Sequence, residues 1–163
     1  MSISSINITI LLAVLIVQPT VYSRCLCPDG WAAHGQHCYL YVPQPLSFYT
    51  AERICVARGL PGRPSHLASV LDAAEALFLA ELIQQSGSAS FAWIGLTDAA
   101  SEGYWAWLDG STSPFSLWRP GEPNNVGNED CGTLHTTADW NDSRCGNSAS
   151  FICKMPQRYR PTR

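Results

Sequence analysis

The chain has 163 residues, 46% of them hydrophobic, with seven cysteines and a formal net charge of −3. That length fits one folded domain plus a targeting segment. So small a net charge gives no basis for a nucleic-acid or other polyanionic partner.

In chain order, Ile8 to Val17 is a short apolar run, well under the roughly twenty residues that span a bilayer. Small residues follow, and Val21-Tyr22-Ser23 fits a signal-peptidase site, which predicts a signal peptide over 1–23 and a secreted product. The leading Met1 to Asn7 lacks Lys and Arg, so an uncleaved anchor is the alternative. No other stretch reads as a membrane span. Seven cysteines in a short exported chain read as a disulfide framework, whose connectivity spacing alone leaves open.

Cys27-Pro28-Asp29-Gly30-Trp31 predicts a turn into a short strand, and His37 to Val42 the returning strand of a hairpin. Ser47 is the expected N-cap of a helix to Arg58, ended by Gly59, with Phe48, Ala51 and Cys55 on its inner face. Ser69-Val70-Leu71-Asp72 reads as a capping box opening a second helix to about Gln85. Ala74, Leu77, Phe78 and Leu82 are its expected buried stripe, and Gly87 its exit. Strands follow at Phe91 to Leu96 and Trp105 to Trp107. Thr133 to His135 and Phe151 to Lys154 are expected to close as antiparallel strands. Between Gly110 and Asp130, Pro114, Pro120 and Pro123 forbid regular structure, so that loop needs a functional reason to be ordered. From Gln157 a basic tail without apolar anchors is expected to be disordered.

Charge is unevenly placed. Between Trp93 and Cys145 eight acidic residues accompany only Arg119 and Arg144. A solvated acidic face is the plain reading. Here, however, the carboxylates alternate with Asn, Gly and Pro. Glu122, Asn124, Glu129, Asn141 and Asp142 offer oxygen and neither sulfur nor imidazole, the donor set of a hard cation such as calcium and not of zinc. A cis Glu122–Pro123 bond would aim Glu122 and Asn124 at one point. Two open positions on such a cation suit the vicinal hydroxyls of a sugar. Each hydroxyl would also give a proton to Glu and accept one from Asn.

Glu122-Pro123-Asn124, Trp140-Asn141-Asp142 and Trp93-Ile94-Gly95-Leu96, in that arrangement with the cysteines, resemble the C-type lectin domain in its mannose-type form, over about Cys27 to Lys154. The resemblance implies an α+β fold in residues 24–156, two helices flanking two small antiparallel sheets with a long calcium-ordered loop. It implies the disulfides Cys27–Cys38, Cys55–Cys153 and Cys131–Cys145, in the long form of the domain. Cys25 is left for an interchain disulfide that would link a homodimer, for a cap, or as a free thiol. It implies calcium (Ca2+) as cofactor, held at a principal site by Glu122, Asn124, Glu129, Asn141 and Asp142, the first four also bonding sugar. Val126 stands where related domains set a side chain against the sugar ring. Asp98, Glu102, Asn125 and Asp130 match an accessory calcium site.

The expected partners are glycans or glycoproteins bearing mannose, glucose, N-acetylglucosamine or fucose, as in innate recognition of microbial surfaces. The alternative is a domain of the same fold that binds protein, ice or mineral. Neither His-Glu-x-x-His nor Gly-x-Ser-x-Gly occurs, and no enzyme activity is expected. Trp93, Trp105, Trp107 and Trp118 read as packing, His135 as structural, and Trp140 as support beneath the site. The Asn141-Asp142-Ser143 sequon is expected to stay unglycosylated, because a glycan would take Asn141 from the cation.

Overall fold

The computed structural model describes residues 27–158. The expected signal segment, Cys25 and residues 159–163 of the expected tail lie outside the described residues. Ten elements follow one another: β1 (Ala32–His34), β2 (His37–Leu46), α1 (Phe48–Ala57), β3 (His66–Leu67), α2 (Ala73–Ser86), β4 (Phe91–Thr97), β5 (Ala106–Trp107), β6 (Cys131–His135), β7 (Trp140–Ser143) and β8 (Ala149–Pro156). The architecture is the expected α+β one, two helices on a sheet. No helix among the described residues is long and apolar enough to cross a membrane.

The two expected ladders are joined. The strand order β1-β2-β8-β4-β6-β7 forms one sheet of eight strands, with β3 on β8 and β5 on β4. The join is a parallel bridge, Trp93 opposite Phe151, in an otherwise antiparallel sheet. The two strands expected to close together, β6 and β8, are therefore not partners. Strand β6 lies between β4 and β7, and β8 lies beside β2, β3 and β4. Strand β7, whose Trp-Asn-Asp reads from sequence as ligand chemistry, pairs with β6 in the register Thr133 to Asn141 and Gly132 to Asp142.

Strand β4 is buried on both faces, which is why Ala92 to Leu96 is an uninterrupted apolar run. Ala92, Ile94 and Leu96 enter the core that carries Leu79 and Ile83 of α2. Trp93 enters the other, with Phe48, Ala51 and Cys55 of α1. Its indole Nε1 donates to Leu46 O at 2.9 Å, so the buried ring leaves no orphan donor. Gly95 is required by close approach: a Cβ there would lie 2.5 Å from Leu67 O.

Helix α1 starts after Ser47 and carries the expected inner face, although Ser47 Oγ donates to Thr50 Oγ1 at 2.9 Å instead of capping the backbone. Helix α2 departs from expectation twice. Its N-cap is Asp72, which accepts from Glu75 N at 2.8 Å, while Glu75 Oε2 takes the Leu71 N–H at 2.8 Å. Ser69 is unavailable as a cap because its buried hydroxyl donates to Asp109 Oδ2 at 2.6 Å. The buried stripe is Ala76, Leu79, Ala80 and Ile83, and Leu77 is 60% exposed. Apolar residues occupy so many positions of α2 that several stripes are compatible with its sequence, and contact with the sheet selects one. Gly87 closes the helix at φ 62°, as expected.

Three disulfides close the fold, Cys27–Cys38, Cys55–Cys153 and Cys131–Cys145, the pairs that the resemblance implies. The Cys55–Cys153 bridge closes 98 residues of chain, a constraint worth ~4–5 kcal/mol in the chain-entropy account. Gln157, expected to begin a disordered tail, is anchored. Its backbone N–H donates to Gln36 O at 2.8 Å and its side chain to His37 O at 3.0 Å. Extension of β8 alongside β2 brings it there.

Candidate calcium and carbohydrate site

The loop between β5 and β6 is held by Trp140 at the start of β7. Trp140 N donates to Leu117 O at 2.8 Å and Arg119 N to Trp140 O at 2.9 Å. Around the buried indole stand Phe115, Trp118 and Trp107 with ring centres 5.6–5.8 Å away. Trp105 packs edge-on against Trp118 at 4.7 Å. The tryptophans are therefore packing residues, and Trp140 lies directly before two of the expected ligands. Threading the loop through this cluster places Glu122 beside β7.

The Glu122–Pro123 peptide is cis. Asp142 is fully buried; its Oδ2 accepts from Asn125 N at 2.7 Å and its Oδ1 has no hydrogen-bond partner. Glu122 Oε2 is likewise buried without a partner. Burial raises the Glu122 pKa above its ordinary value, and the nearby Asp142 and then Glu129 carboxylates add to this, against the lowering effect of the Asn124 backbone N–H. Carboxylate oxygens withdrawn from water beside one another are stabilised by a cation or by a shared proton. Asn124 Oδ1 accepts from Val126 N at 2.9 Å, which leaves its amide hydrogens free. Asn141 donates its amide to Asp142 O, which leaves its Oδ1 free. Among the described residues no three His, Cys, Asp or Glu side chains form a group that could hold a metal ion. Val126 is 65% exposed at the loop tip.

The other expected ligands, Asp98, Glu102 and Asp130, gather with Asn125. Asp98 is buried; its Oδ2 accepts from Gly103 N at 2.8 Å and its Oδ1 has no partner. Glu102 Oε1 accepts from Asn125 Nδ2 at 2.8 Å, and Asp130 Oδ2 from Asn128 Nδ2 at 2.8 Å. The Asp130 carbonyl takes Thr97 Oγ1 at 2.6 Å and Asp98 N at 3.2 Å, which fixes both acids to the end of β4. Asn125 spans the two groups, because its Oδ1 also accepts from Glu129 N at 2.7 Å.

His135 is half-buried at the end of β6, stacked on Phe91 at 5.3 Å, with its Nδ1 3.2 Å from Arg119 Nη1. Burial lowers its pKa, Arg119 lowers it further, and Asp139 opposes both. Its place is structural. Two residues to which the sequence assigns no site role belong to this region. Thr97 ties the two acids together, and Arg144 lies against Gly127 in the loop. The first adjoins Asp98 in the chain, whereas nothing in the spacing of Gly127 and Arg144 signals their contact.

Fold and loop together define a domain of lectin type, and comparison with known proteins agrees. The model of the Lectin C-type domain family matches residues 44–155. Human C-type lectin domain family 17, member A, is 38% identical over 131 residues, 80% of this chain and 32% of that protein. Ladderlectin of Oncorhynchus mykiss is 40% identical over 130 residues, 77% of this chain and 66% of that one. This chain thus spans about a third of the first relative and about two thirds of the second. The solved C-type lectin CEL-I from Cucumaria echinata is 33% identical with a TM-score of 0.76, covering 81% of this chain and 99% of that one. A calcium-independent type II antifreeze protein is 29% identical with a TM-score of 0.71, over 82% and 96% of the two chains. The chain belongs to the C-type lectin domain family.

Proposed function

We propose that this protein is a secreted, calcium-dependent lectin that binds mannose-type sugars (mannose, N-acetylglucosamine, fucose or glucose), without catalysis, in recognition of microbial or other foreign glycans. The observation that carries this reading is the pair of buried, unpartnered oxygens Glu122 Oε2 and Asp142 Oδ1. Glu122, Asn124, Glu129, Asn141 and Asp142 would hold the principal ion. Asp98, Glu102, Asn125 and Asp130 would hold an accessory one. Calcium, when bound, supplies two open positions to a vicinal diol. The chain's own residues do the selecting: the Glu122 and Glu129 carboxylates accept hydroxyl protons, and the free amide hydrogens of Asn124 donate to hydroxyl oxygen. Val126 offers an apolar contact to the ring.

Such a shallow site binds one sugar weakly, so useful avidity needs several copies. Cys25 would provide the linkage as an interchain disulfide in a homodimer. The antifreeze neighbour supports a second reading, a C-type-lectin-like domain whose ligand is a protein or another non-sugar surface. A glycan array read with calcium and with EDTA separates them. Retention of mannose-type glycans that EDTA abolishes supports the first. Absence of metal-dependent binding to any hexose overturns it and favours the second.

A further inference from the structure

Arg144 is one of only two cationic side chains between Trp93 and Cys145, a stretch with eight acidic residues. Among the described residues the ion pairs are His66–Glu52, Arg119–Asp139 and Lys154–Glu75, and Arg144 takes part in none. No hydrogen bond engages its exposed guanidinium within the described residues. The group lies instead against the backbone of Gly127: a Cβ on Gly127 would stand 2.1 Å from Arg144 Nη2 and 2.9 Å from its Cζ. Gly127, at φ 78°, sits between the expected ligands Asn124 and Glu129 and beside exposed Val126. The other end of Arg144 is equally fixed. It is two residues after Asp142, adjoins the Cys131–Cys145 bridge, and its carbonyl accepts from Asn147 N at 2.9 Å. A planar fork of N–H donors is thus held at the rim of the candidate sugar site with its hydrogen-bonding capacity unspent.

A guanidinium cannot ligate calcium, and its N–H donors at this rim, unpaired among the described residues, are available to an anion. Its geometry matches sulfate and phosphate oxygens bidentately, which an ammonium does not. We infer that Arg144 is a specificity-determining residue that favours hexoses esterified with sulfate or phosphate over their neutral parents. The inference rests on the carbohydrate reading above. Glu122, Asn124, Glu129 and Asn141 select the vicinal hydroxyls, and Arg144 reads the ester carried elsewhere on the same glycan.

The test is competition in calcium against immobilised mannose, using mannose, mannose 6-phosphate, N-acetylglucosamine and its 6-sulfate. The esters are expected to inhibit about tenfold better than their parents at low ionic strength, a margin that shrinks with added salt. R144Q is expected to lose the margin while inhibition by the neutral sugars is unchanged, and R144K to keep part of it. A margin for only one ester identifies which of the two the site takes. In calcium-free solution the Arg144 Nε–H resonance should shift on addition of inorganic sulfate or phosphate. Wild-type protein that binds neutral sugars with no margin for the esters overturns this inference alone, as does a margin that survives in R144Q. Wild-type protein that binds none of the four overturns the carbohydrate reading as well.

Discussion

Asn125 donates its backbone N–H to Asp142 Oδ2 at 2.7 Å while its side chain reaches Glu102 and the Glu129 N–H. One residue at φ 48° therefore ties the long loop to β7 and joins the two groups of expected calcium ligands. An N125A variant keeps the backbone bond, loses both side-chain bonds, and places Ala in a left-handed conformation. It should lose about 1–2 kcal/mol of calcium-loaded stability. Thermal melts in calcium measure this, and an unchanged melting temperature would show that the two groups are independent.

E122Q should act in opposite directions with and without the metal. In EDTA it removes a charge held near Asp142 and Glu129, so the apoprotein should melt no lower than wild type. In calcium it removes a charged ligand, and affinity should fall by about tenfold or more. Parallel melts and calcium titrations check both signs. A large loss of stability in EDTA would mean that Glu122 holds the loop without any cation.

Gly127 combines a φ of 78° with a guanidinium at its face. G127A is expected to destabilise the loop by about 1–2 kcal/mol, partly from strain and partly from displacement of Arg144. Removing Arg144 in the same chain should recover the second part only. A double-mutant cycle by denaturant titration gives the coupling, and strict additivity would dissociate the two residues.

Lys154 is the chain's sole lysine and is buried. Its Nζ meets Glu75 Oε1 at 2.6 Å, Ser69 Oγ at 3.0 Å and Ser69 O at 3.1 Å, which uses all three donors. The same Glu75 oxygen accepts from Tyr39, whose hydroxyl pKa is raised by burial and by that carboxylate. K154M strands the Glu75 charge and should cost ~3–5 kcal/mol in urea titration. K154M/E75Q should recover much of that, since it removes the stranded charge and keeps an amide oxygen as acceptor. An equal loss in both variants would show that packing, not charge, is at stake.

His135 has a folded pKa below 6.5, from burial and then Arg119. Its neutral form is thus favoured in the folded state. The corresponding stability is fully present above the unfolded value of about 6.5 and is lost as pH falls from there through the lower folded pKa. NMR titration should place His135 below 6.5, and R119Q should raise it. A downward shift in R119Q would contradict the assignment of Arg119 as a lowering charge.

The sequence by itself carried the family resemblance and the proposed chemistry of this domain. Oxygen donors at Glu122, Asn124, Glu129, Asn141 and Asp142 are the chemistry on which the proposed hard-cation site rests. The buried run Ala92 to Leu96 and the exit at Gly87 follow from local rules of burial and helix capping. Only the tertiary structure decided which stripe of α2 is inside and that Asp72, not Ser69, starts it. Apolar residues around the helix left its phase open, and the Ser69 hydroxyl is taken by Asp109, forty positions away. Only the tertiary structure set Arg144 against Gly127, left three buried carboxylate oxygens, of Asp98, Glu122 and Asp142, without partners, and strung one sheet through Trp93 and Phe151. These are contacts between residues distant in the chain. Periodicity and spacing carry information about neighbours along the backbone, whereas such contacts exist only once the core and its disulfides have closed.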